Sequence, residues 1–293
     1  MSYLMDLLEV RLLAACAASK DSNDPCVLAV RDHLEAGGSR VRAGICLDAG
    51  TRLGLGEADA VLAAAVCELL HNASLLQDDL LDRTATRRTA PSVWLKYGDT
   101  VAVCAGDLML SAAYSLLADL SSSSLIAPAI RLVHLRTSEV IFGQAFESFQ
   151  QGRGKDIQAY YQRSARGKSA SLLSLALELP LLLSGHREFM SIAHEAASDF
   201  AVAYQIADDL DDSEQDSQEG SSNLLLLLTQ RDGLTMEQAF ACAYTLSTER
   251  LLSAEERAGQ LPHQCAATLL QHVARLRRAL AKAVSTLAAR AGV

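Results

Sequence analysis

The stretch Gln77-Asp78-Asp79-Leu80-Leu81-Asp82 places three carboxylates at positions i, i+1 and i+4. On an α-helix, positions i and i+4 lie on one face, and position i+1 lies about 100° away. The residues that run into this stretch in an apolar helical pattern are Ala63, Ala64, Val66, Leu69, Leu70, Leu75 and Leu76. Carboxylates at the end of so apolar a helix are costly unless a cation satisfies them. The pattern therefore predicts a helix whose last turn carries a cation site.

A second acidic cluster, Asp208-Asp209-Leu210-Asp211-Asp212, ends the apolar run from Phe200 to Ala207. The matching spacing predicts two helices that face each other across one cavity. Hard oxygen ligands in this number suit Mg²⁺, which binds proteins through a few carboxylates together with substrate phosphates. Either cluster alone fits a solvated acidic helix end equally well. The pair is what favours a metal site.

The composition excludes several classes of protein. The chain has 293 residues, half of them apolar, so a sizeable core is available. Its net charge of −9 argues against nucleic-acid binding. Seven scattered cysteines without a CxxC pair indicate reduced thiols and a cytoplasmic protein. We expect no secretory signal, because Asp6 and Glu9 interrupt the N-terminus, and no transmembrane segment, because the most apolar region, 171–184, is too short.

Long stretches rich in Ala and Leu, with only five prolines and no alternating β-branched runs, predict an all-α fold. The predicted helices are 2–20, 25–36, 40–49, 57–82, 99–120, 125–151, 155–183, 187–212, 224–228, 235–258 and 262–289. Residues 83–92 are predicted to form a basic loop, and residues 213–223, which lack an apolar anchor, a mobile loop. No linker divides the chain, so we expect one domain over residues 1–293.

Basic residues stand close to both acidic clusters. Arg83, Arg87 and Arg88 follow the first cluster within six residues, and Arg40 and Arg42 follow a Gly-Gly pair. A further cation, Lys168, precedes the second cluster. Metal-binding carboxylates together with Arg and Lys side chains are what a diphosphate-bearing substrate needs.

These motifs together resemble the trans-isoprenyl diphosphate synthases, the polyprenyl synthetase family, over about residues 37–212. The segments that carry the resemblance are His71 to Asp82, Arg87-Arg88-Thr89-Ala90-Pro91, Val93-Trp94 to Gly98, Ala105-Gly106-Asp107, Gly143-Gln144 with Glu147, Lys168-Ser169, and Tyr204 to Asp212. A single DDxxD motif is a weak signal. Two such motifs, with Arg-Arg after the first and Lys and Gln before the second, form a strong one.

The resemblance implies a large antiparallel helical bundle of the isoprenoid synthase type with a central active-site cavity. It also implies a Mg²⁺-dependent prenyltransferase that condenses an allylic prenyl diphosphate with isopentenyl diphosphate, and a homodimer. Three Mg²⁺ ions would bind with the diphosphate, and the implied metal residues are Asp78, Asp79, Asp82, Asp208, Asp209 and Asp212. The implied allylic diphosphate contacts are Arg87, Lys168, Ser169 and Gln205, and those for isopentenyl diphosphate are Arg42, His71 and Arg88. Of these, Asp78, Asp79, Asp82, Arg87, Lys168, Gln205 and Asp208 would be catalytic.

The chain departs from the family pattern mainly on the isopentenyl side. Ser39 stands where the family has a lysine, and no lysine occurs between Lys168 and Lys282. Two other readings therefore stay open: a terpene cyclase or a transferase to another acceptor, and a non-catalytic subunit of a prenyl synthase heteromer. The small residues Ala73 and Ser74 before the first motif, where the family uses a bulky aromatic to stop the chain early, favour a product of geranylgeranyl length or longer.

Overall fold

The computed structural model describes residues 1–17, 23–150, 161–163, 166–211 and 223–290, without the side chains of residues 147–150, 168, 169, 211, 231 and 283–290. Asp212, the start of the predicted helix 155–183 and all of the predicted mobile loop except Asn223 lie outside the described residues.

The described chain is all-α apart from one short hairpin, which confirms the predicted fold class. The first seven helices are α1 (Ser2–Cys16), α2 (Pro25–Glu35), α3 (Val41–Arg52), α4 (Glu57–Leu81), α5 (Val93–Tyr97), α6 (Asp99–Leu116) and α7 (Ser123–Gln150). The others are α8 (Ser171–Leu183), α9 (Met190–Asp211), α10 (Leu224–Arg231), α11 (Met236–Gly259) and α12 (Ala267–Arg290). Short 3₁₀ turns and one π-helical turn, Arg166–Ala170, connect some of them.

Local sequence signals explain several helix starts. Asp24 caps α2 by accepting a hydrogen bond from the Cys26 amide at 2.9 Å, and Pro25 occupies the first helical position. Thr235 and Gln238 form a reciprocal capping box at the start of α11. These caps satisfy amides that have no partner within the helix.

The predicted basic loop contains a hairpin that the sequence pattern did not indicate. Strands β1 (Thr86–Arg87) and β2 (Ala90–Pro91) pair antiparallel, with Arg88 and Thr89 at the turn. Both turn residues have positive φ, 52° and 68°. The hairpin fixes the direction of the Arg87-Arg88 pair relative to the end of α4.

Contacts between Cα atoms divide the chain into two compact units. The first unit comprises Met1–Leu135 and Leu175–Arg187, and the second comprises Arg136–Ser174 and Glu188–Val293. Helices α7 and α8 each have residues in both. The single domain over residues 1–293 and the facing of the two acidic motifs stay predictions.

Helix α4 forms the centre of the first unit. It packs against α1, α3 and α6, and its residues from Ala60 to Leu70 are buried all round. A helix that is apolar on every face is stable only when it is enclosed by other elements. The first acidic motif is therefore attached to the most enclosed helix of this unit.

In the second unit, α9 packs along α11, with α10 and α12 beside them. Val202 and Ile206 of α9 form a core cluster with Leu224, Leu225 and Leu228 of α10. This packing places the start of α10 against the end of α9, where the second acidic motif lies.

Among the residues that the structure describes, two segments are long and apolar enough to cross a membrane by length and composition alone, namely α4 and Asp99–Asp119. This is a weak indication, because the core helices of soluble proteins pass the same test. The most apolar window of α4 is 78% buried inside the structure, as expected of a core helix, and that of Asp99–Asp119 is 44% buried.

Candidate active site

The three aspartates of the first motif have different surroundings at the end of α4. Asp78 is half-buried and Asp82, the residue that follows the helix, is exposed. The Asp82 amide donates to the Asp78 carbonyl at 2.9 Å, so the helical turn continues through the motif. Asp79 is 1% exposed. Asp78 and Asp82 are thus accessible to a ligand, while Asp79 points into the protein.

Asp79 is bound to Arg87 of the hairpin. Arg87 Nε donates to both carboxylate oxygens, at 2.8 and 2.7 Å, and Nη2 donates to Oδ1 at 2.6 Å. This side-on arrangement uses one edge of the guanidinium and leaves the Nη1 group for another acceptor. The Asp79 carbonyl also accepts from the Thr84 amide at 3.0 Å, which ties the chain before the hairpin to the same residue.

A cluster of three arginines around a histidine, defined by Arg42, His71, Arg87 and Arg88, lies beside this pair. Arg42 Nη1 donates to His71 Nε2 at 3.1 Å, so the imidazole is neutral and carries its proton on Nδ1. Burial lowers the pKa of His71 well below its usual value, and the charges of Arg42, Arg88 and Arg87 lower it further. The three arginine charges around this neutral imidazole favour an anion.

Arg88 lies across the loop that begins with Gly37-Gly38. Its guanidinium donates to the Gly37 carbonyl. A β-carbon at Gly38, which has φ of 142°, would lie 2.7 Å from Arg88 Cζ. Burial lowers the pKa of Arg88, followed by the charges of Arg40 and Arg87. Glycine at position 38 therefore leaves the space that the Arg88 guanidinium occupies.

Arg40 is part of the buried framework beneath this loop. It is 8% exposed and donates to Glu9 at 2.7 and 3.0 Å, to Glu68 Oε1 at 3.1 Å and to the Leu34 carbonyl at 3.0 Å. Ser39, where the family has a lysine, is exposed. With its donors engaged in this way, Arg40 is not placed to supply the missing lysine's charge.

The framework continues from Glu68 to a second histidine. Asn72 donates to the Glu68 carbonyl at 2.8 Å and to Glu68 Oε1 at 3.2 Å, and its own Oδ1 accepts from His33 Nε2 at 3.0 Å. Burial lowers the pKa of His33 to about 4, with a further contribution from Arg88. Sequence reasoning missed His33, Glu68 and Asn72. The available signal was the polar pair Glu68 and Asn72, one turn apart inside an otherwise apolar helix.

A cavity of about 230 Å³ opens next to this cluster in the first unit. His33, Arg87 and Arg88 line one part of it, and Lys96 and Tyr97 another. Lys96 and Tyr97 both contact the Asp32 carboxylate, which lowers the pKa of Asp32. The cavity is therefore cationic on the side of the hairpin.

In the second motif, as in the first, the first aspartate is more exposed than the second. Asp208 is half-buried, as is Gln205 one turn earlier, whereas Asp209 is 3% exposed. Asp209 Oδ2 accepts from the Leu224 amide at 2.7 Å, and Oδ1 accepts from Gln205 Nε2 at 3.2 Å. The carbonyl of Asp209 accepts from Asn223 Nδ2 at 2.8 Å. The second aspartate of this motif thus also points into the protein.

The Gly-Gln pair on α7 meets the π-helical turn that contains Lys168 and Ser169. A β-carbon at Gly167 would lie 2.6 Å from the Gly143 Cα, so the two backbones are in direct contact. Gln144 is half-buried in the same unit. The backbone of Lys168 and Ser169 is thereby fixed next to α7, while their side chains lie outside the described residues.

Within the ranges that the structure describes, no three His, Cys, Asp or Glu side chains converge on a point that a metal ion would occupy. Asp78 and Asp82 supply hard oxygen atoms one helical turn apart. This donor set fits Mg²⁺, which needs only one or two carboxylates when substrate phosphates complete its coordination. It does not fit an ion held by protein ligands alone.

Comparison with known proteins agrees with this arrangement. A sequence profile described as polyprenyl synthetase matches residues 25–223. The chain is 34% identical over 174 residues to a (2E,6E)-farnesyl diphosphate synthase of Mycobacterium tuberculosis, covering 59% of this chain and 48% of the relative. It is 30% identical over 200 residues to an all-trans-nonaprenyl-diphosphate synthase of Rhodobacter capsulatus, covering 68% and 60%. The chain thus spans about half the length of the curated relatives it matches.

Solved structures confirm the fold. A geranylgeranyl pyrophosphate synthetase from the archaeon Geoglobus acetivorans superposes with a TM-score of 0.82 at 22% identity, over 92% of this chain and 97% of that one. A decaprenyl diphosphate synthase from Rhodobacter capsulatus gives 0.78 at 21% identity, over 95% and 96%. The family profile covers more than half of the sequence, and the chain therefore belongs to the polyprenyl synthetase family.

Proposed function

We propose that this protein is a Mg²⁺-dependent trans-prenyltransferase that condenses an allylic prenyl diphosphate with isopentenyl diphosphate to give a longer polyprenyl diphosphate. The observation that carries the proposal is the cluster of Arg42, His71, Arg87 and Arg88 beside the accessible carboxylates of Asp78 and Asp82. Cations that lower the pKa of a buried histidine are suited to a multiply charged anion. The names of the relatives, which are prenyl diphosphate synthases, support the same reaction.

Asp78, Asp82 and Asp208 would hold Mg²⁺, with Asp212 contributing from outside the described residues. Bound Mg²⁺ would act as a Lewis acid towards the leaving diphosphate. Three ions with bound diphosphate is the number that the family resemblance implies. The accessibility of Asp78 and Asp208, compared with the burial of Asp79 and Asp209, supports the choice of the first aspartate in each motif.

The protein side chains would act by holding charge in place. Arg87, fixed by Asp79 along one edge, would offer Nη1 to the allylic diphosphate, joined by Gln205 and by Lys168 and Ser169 of the π-helical turn. Cations preorganised where negative charge develops stabilise the separation of the diphosphate from the allylic carbon. The apolar core around α4 would keep water away from the carbocation that this separation creates.

Isopentenyl diphosphate would bind to Arg42, His71 and Arg88. Neutral His71 accepts from Arg42, so it orients the guanidinium and keeps its Nδ1 proton available for a phosphate oxygen. One observation favours a second candidate. Ser39 is exposed and provides no charge, which weakens the isopentenyl side and fits a terpene cyclase or a transferase to another acceptor.

We expect a product of geranylgeranyl length or longer, because Ala73 and Ser74 are small where the family uses a bulky aromatic to stop the chain early. Ala73 is buried, and its carbonyl is the nearest atom to a β-carbon built at Gly106 of α6. The named relatives differ in chain length, so they support elongation without fixing the product.

A homodimer is expected from the family resemblance. The exposed apolar side chains Ile141 and Phe142, adjacent on α7, support it, since exposed apolar surface often marks an interface. A cytoplasmic location remains our expectation, and seven scattered cysteines without a CxxC pair are consistent with a reducing compartment.

The test is product analysis after incubation with dimethylallyl, geranyl or farnesyl diphosphate, with and without isopentenyl diphosphate, in Mg²⁺ or in EDTA. We expect elongated diphosphates only when Mg²⁺ and isopentenyl diphosphate are both present. Asp78→Asn and Arg42→Gln should each lower turnover by on the order of 10²-fold, because each removes charge that stabilises the reaction. Arg83→Gln is the matched control, since Arg83 is exposed and pairs with Asp99. Hydrocarbon products without isopentenyl diphosphate would instead support a cyclase.

A further inference from the structure

A larger cavity, of about 520 Å³, lies within the second unit. Its walls are the second half of α7, the segment before α8, the first half of α9 and the second half of α11. We call it the arginine cavity, because it is lined by Arg163, Arg166, Arg250 and Arg257. None of the described residues that line it belongs to an acidic motif or to the cluster around His71. Its volume is within the range of roughly 300–1,000 Å³ that is usual for small-molecule sites.

Two arginines of α11 are fixed at the wall of this cavity by a shared carboxylate. Asp199 of α9 is 3% exposed, and it accepts from Arg250 Nη1 at 2.9 Å and from Arg257 Nη1 at 2.6 Å. Arg250 Nη2 also donates to Gln162 Oε1 at 2.8 Å, and Arg257 Nε donates to Glu195 Oε2 at 2.9 Å. Both guanidinium groups are therefore held in place before a ligand binds, which reduces the entropy lost on binding.

Two further arginines border the cavity without a carboxylate partner. Arg163 and Arg166 stand three residues apart before α8, and both are exposed. Within the part of the chain that the structure describes, neither of them forms an ion pair. Arg163 lies over the Phe146 ring, with its Cζ 4.2 Å from the ring centroid. A cation–π contact holds a guanidinium without using up its hydrogen-bond donors.

The charge around the arginine cavity is positive, although the chain as a whole has a net charge of −9. Each carboxylate among the described lining residues already has an arginine partner. Glu139 accepts from Arg136 at 2.7 Å, and the other two accept from the arginines of α11. The charges of Arg163 and Arg166 are therefore not offset by any side chain that the structure describes. An anion is the ligand that this balance favours.

We propose that the arginine cavity binds a small phosphorylated anion, at a site distinct from the candidate active site. Guanidinium groups present forked N–H donors that match the oxygens of a phosphate in pairs. Arg163 and Arg166 supply the charge that is not offset, and the arginines of α11 supply further N–H groups that are already held in place. Phe146, which is half-buried, gives an aromatic wall for the organic group that carries the phosphate.

Occupation of the arginine cavity restrains the π-helical turn Arg166–Ala170. Arg166 and Gly167 line the cavity and are the first two residues of this turn. An anion bound to Arg166 and to α11 links the turn to a helix that is distant in sequence. Lys168 and Ser169 belong to the same turn, so the ligand affects the residues that would hold the allylic diphosphate. This consequence rests on the proposed function, whereas the binding does not.

The experiment titrates the full chain with inorganic pyrophosphate in EDTA by isothermal titration calorimetry. The background protein carries Arg42→Gln and Arg88→Gln, because the cluster around His71 can also bind an anion without a metal. We expect this protein to bind one pyrophosphate per chain. Adding Arg163→Gln and Arg166→Gln should weaken that binding by about tenfold or more, since charge-assisted hydrogen bonds are lost.

The matched control adds Arg277→Gln and Arg278→Gln to the same background. These two arginines of α12 are exposed and do not line the cavity, and their replacement removes the same charge. The control should change the affinity for pyrophosphate by less than about twofold, because exposed charges at a distance are screened by salt. All variants replace exposed side chains in the second unit, so their melting temperatures should stay close to that of the background protein.

Amide hydrogen exchange tests the effect on the π-helical turn. Pyrophosphate should slow exchange in residues 166–170 of the background protein. The same addition should leave exchange unchanged after Arg163→Gln and Arg166→Gln. Exchange that stays fast in the protein with bound pyrophosphate would overturn the restraint of the turn.

Two organic ligands test the aromatic wall, and they distinguish two sources of the same phosphate chemistry. ADP and geranyl diphosphate each carry a diphosphate, the first on a nucleoside and the second on a prenyl chain. At least one of them should bind the background protein as tightly as pyrophosphate does. If both bind more than about tenfold more weakly, the wall does not accept an organic group and that part of the proposal fails.

The site is overturned if the background protein binds no pyrophosphate, or if the Arg163 and Arg166 substitutions weaken binding no more than the control does. These outcomes are independent of the proposed function, because no turnover is measured. A wild-type chain that elongates prenyl diphosphates but fails this test would reject the site alone. A chain that binds pyrophosphate in the arginine cavity but forms no elongated product would reject the proposed function and keep the site.

Discussion

Replacing Arg40 by methionine tests whether this arginine supports the fold or binds substrate. The Arg40 side chain is 6% exposed and pairs with Glu68, which is 2% exposed, and with Glu9, which is 44% exposed. Within the described chain, Glu68 Oε2 already has no hydrogen-bond partner. Methionine would fill the volume of the side chain but leave the Glu68 charge buried without its cation.

The expected cost follows from that uncompensated charge. Removing one partner of a buried ion pair typically costs about 3–5 kcal/mol, and Glu9, being exposed, adds little. For a chain of this size, the loss corresponds to a fall in melting temperature of roughly 10 °C. Substituting Glu68→Gln in the same protein removes the charge and keeps an acceptor for Asn72, so the double variant should recover at least half of the loss.

The assay is urea and thermal unfolding of wild type, Arg40→Met, the double variant and a control. Arg52→Met is the control, because Arg52 forms an i, i+4 pair with Asp48 and its side chain is 36% exposed. That pair is worth at most about 1 kcal/mol. The reasoning fails if Arg40→Met unfolds like the control and instead raises the KM for isopentenyl diphosphate about tenfold. Arg40 would then replace the lysine that is absent at Ser39.

Three further predictions follow from the first unit. Ser39→Lys should lower the KM for isopentenyl diphosphate roughly ten- to a hundredfold, because a charge-assisted hydrogen bond is worth about 1.5–3 kcal/mol; steady-state kinetics should find the KM for the allylic substrate nearly unchanged. Ala73→Phe should shift products to shorter chains, and an identical chromatogram would place the end of the chain tunnel elsewhere. Burial lowers the pKa of His33 from 6.5 to about 4. As the pH falls, His33 is therefore protonated in the unfolded chain before it is protonated in the folded protein. The free energy of unfolding should then fall by up to about 3 kcal/mol between about pH 6.5 and 4, and His33→Gln should flatten that dependence in urea titrations.

The long helices were predictable because their signals are local. Apolar residues at a period of 3.6, together with Pro25 and the Gly-rich stops, define most helices to within a few residues. The hairpin at Thr86–Pro91 was not predicted, since two-residue strands have no recognisable alternation. The π-helical turn at Arg166–Ala170 was not predicted for a different reason. It contacts α7, which is distant in sequence.

The candidate site was likewise only partly predictable from the sequence. The resemblance to the family grouped Arg42, His71 and Arg88 at one site, which residue types and spacing alone did not do. Residue types and spacing also did not separate Asp78 from Asp79, because the difference arises from Arg87, eight residues away, and from burial. Likewise, the burial of Arg40 depends on Glu9, 31 residues earlier in the chain. Hydrogen-bond partners of this kind become visible only when the chain is folded.

The contact between Gly143 and Gly167 affects how a saturation mutagenesis screen of this protein should be interpreted. Any β-carbon at position 167 meets the Gly143 backbone rather than a movable side chain. Substitutions there would push the turn that carries Lys168 away from α7, and variants would disappear from a library selected for activity. Neither glycine has a side chain to offer a substrate. Depletion at position 167 would therefore report the closeness of two backbones, and an activity map that counted Gly167 as catalytic would assign chemistry to what is a requirement for space.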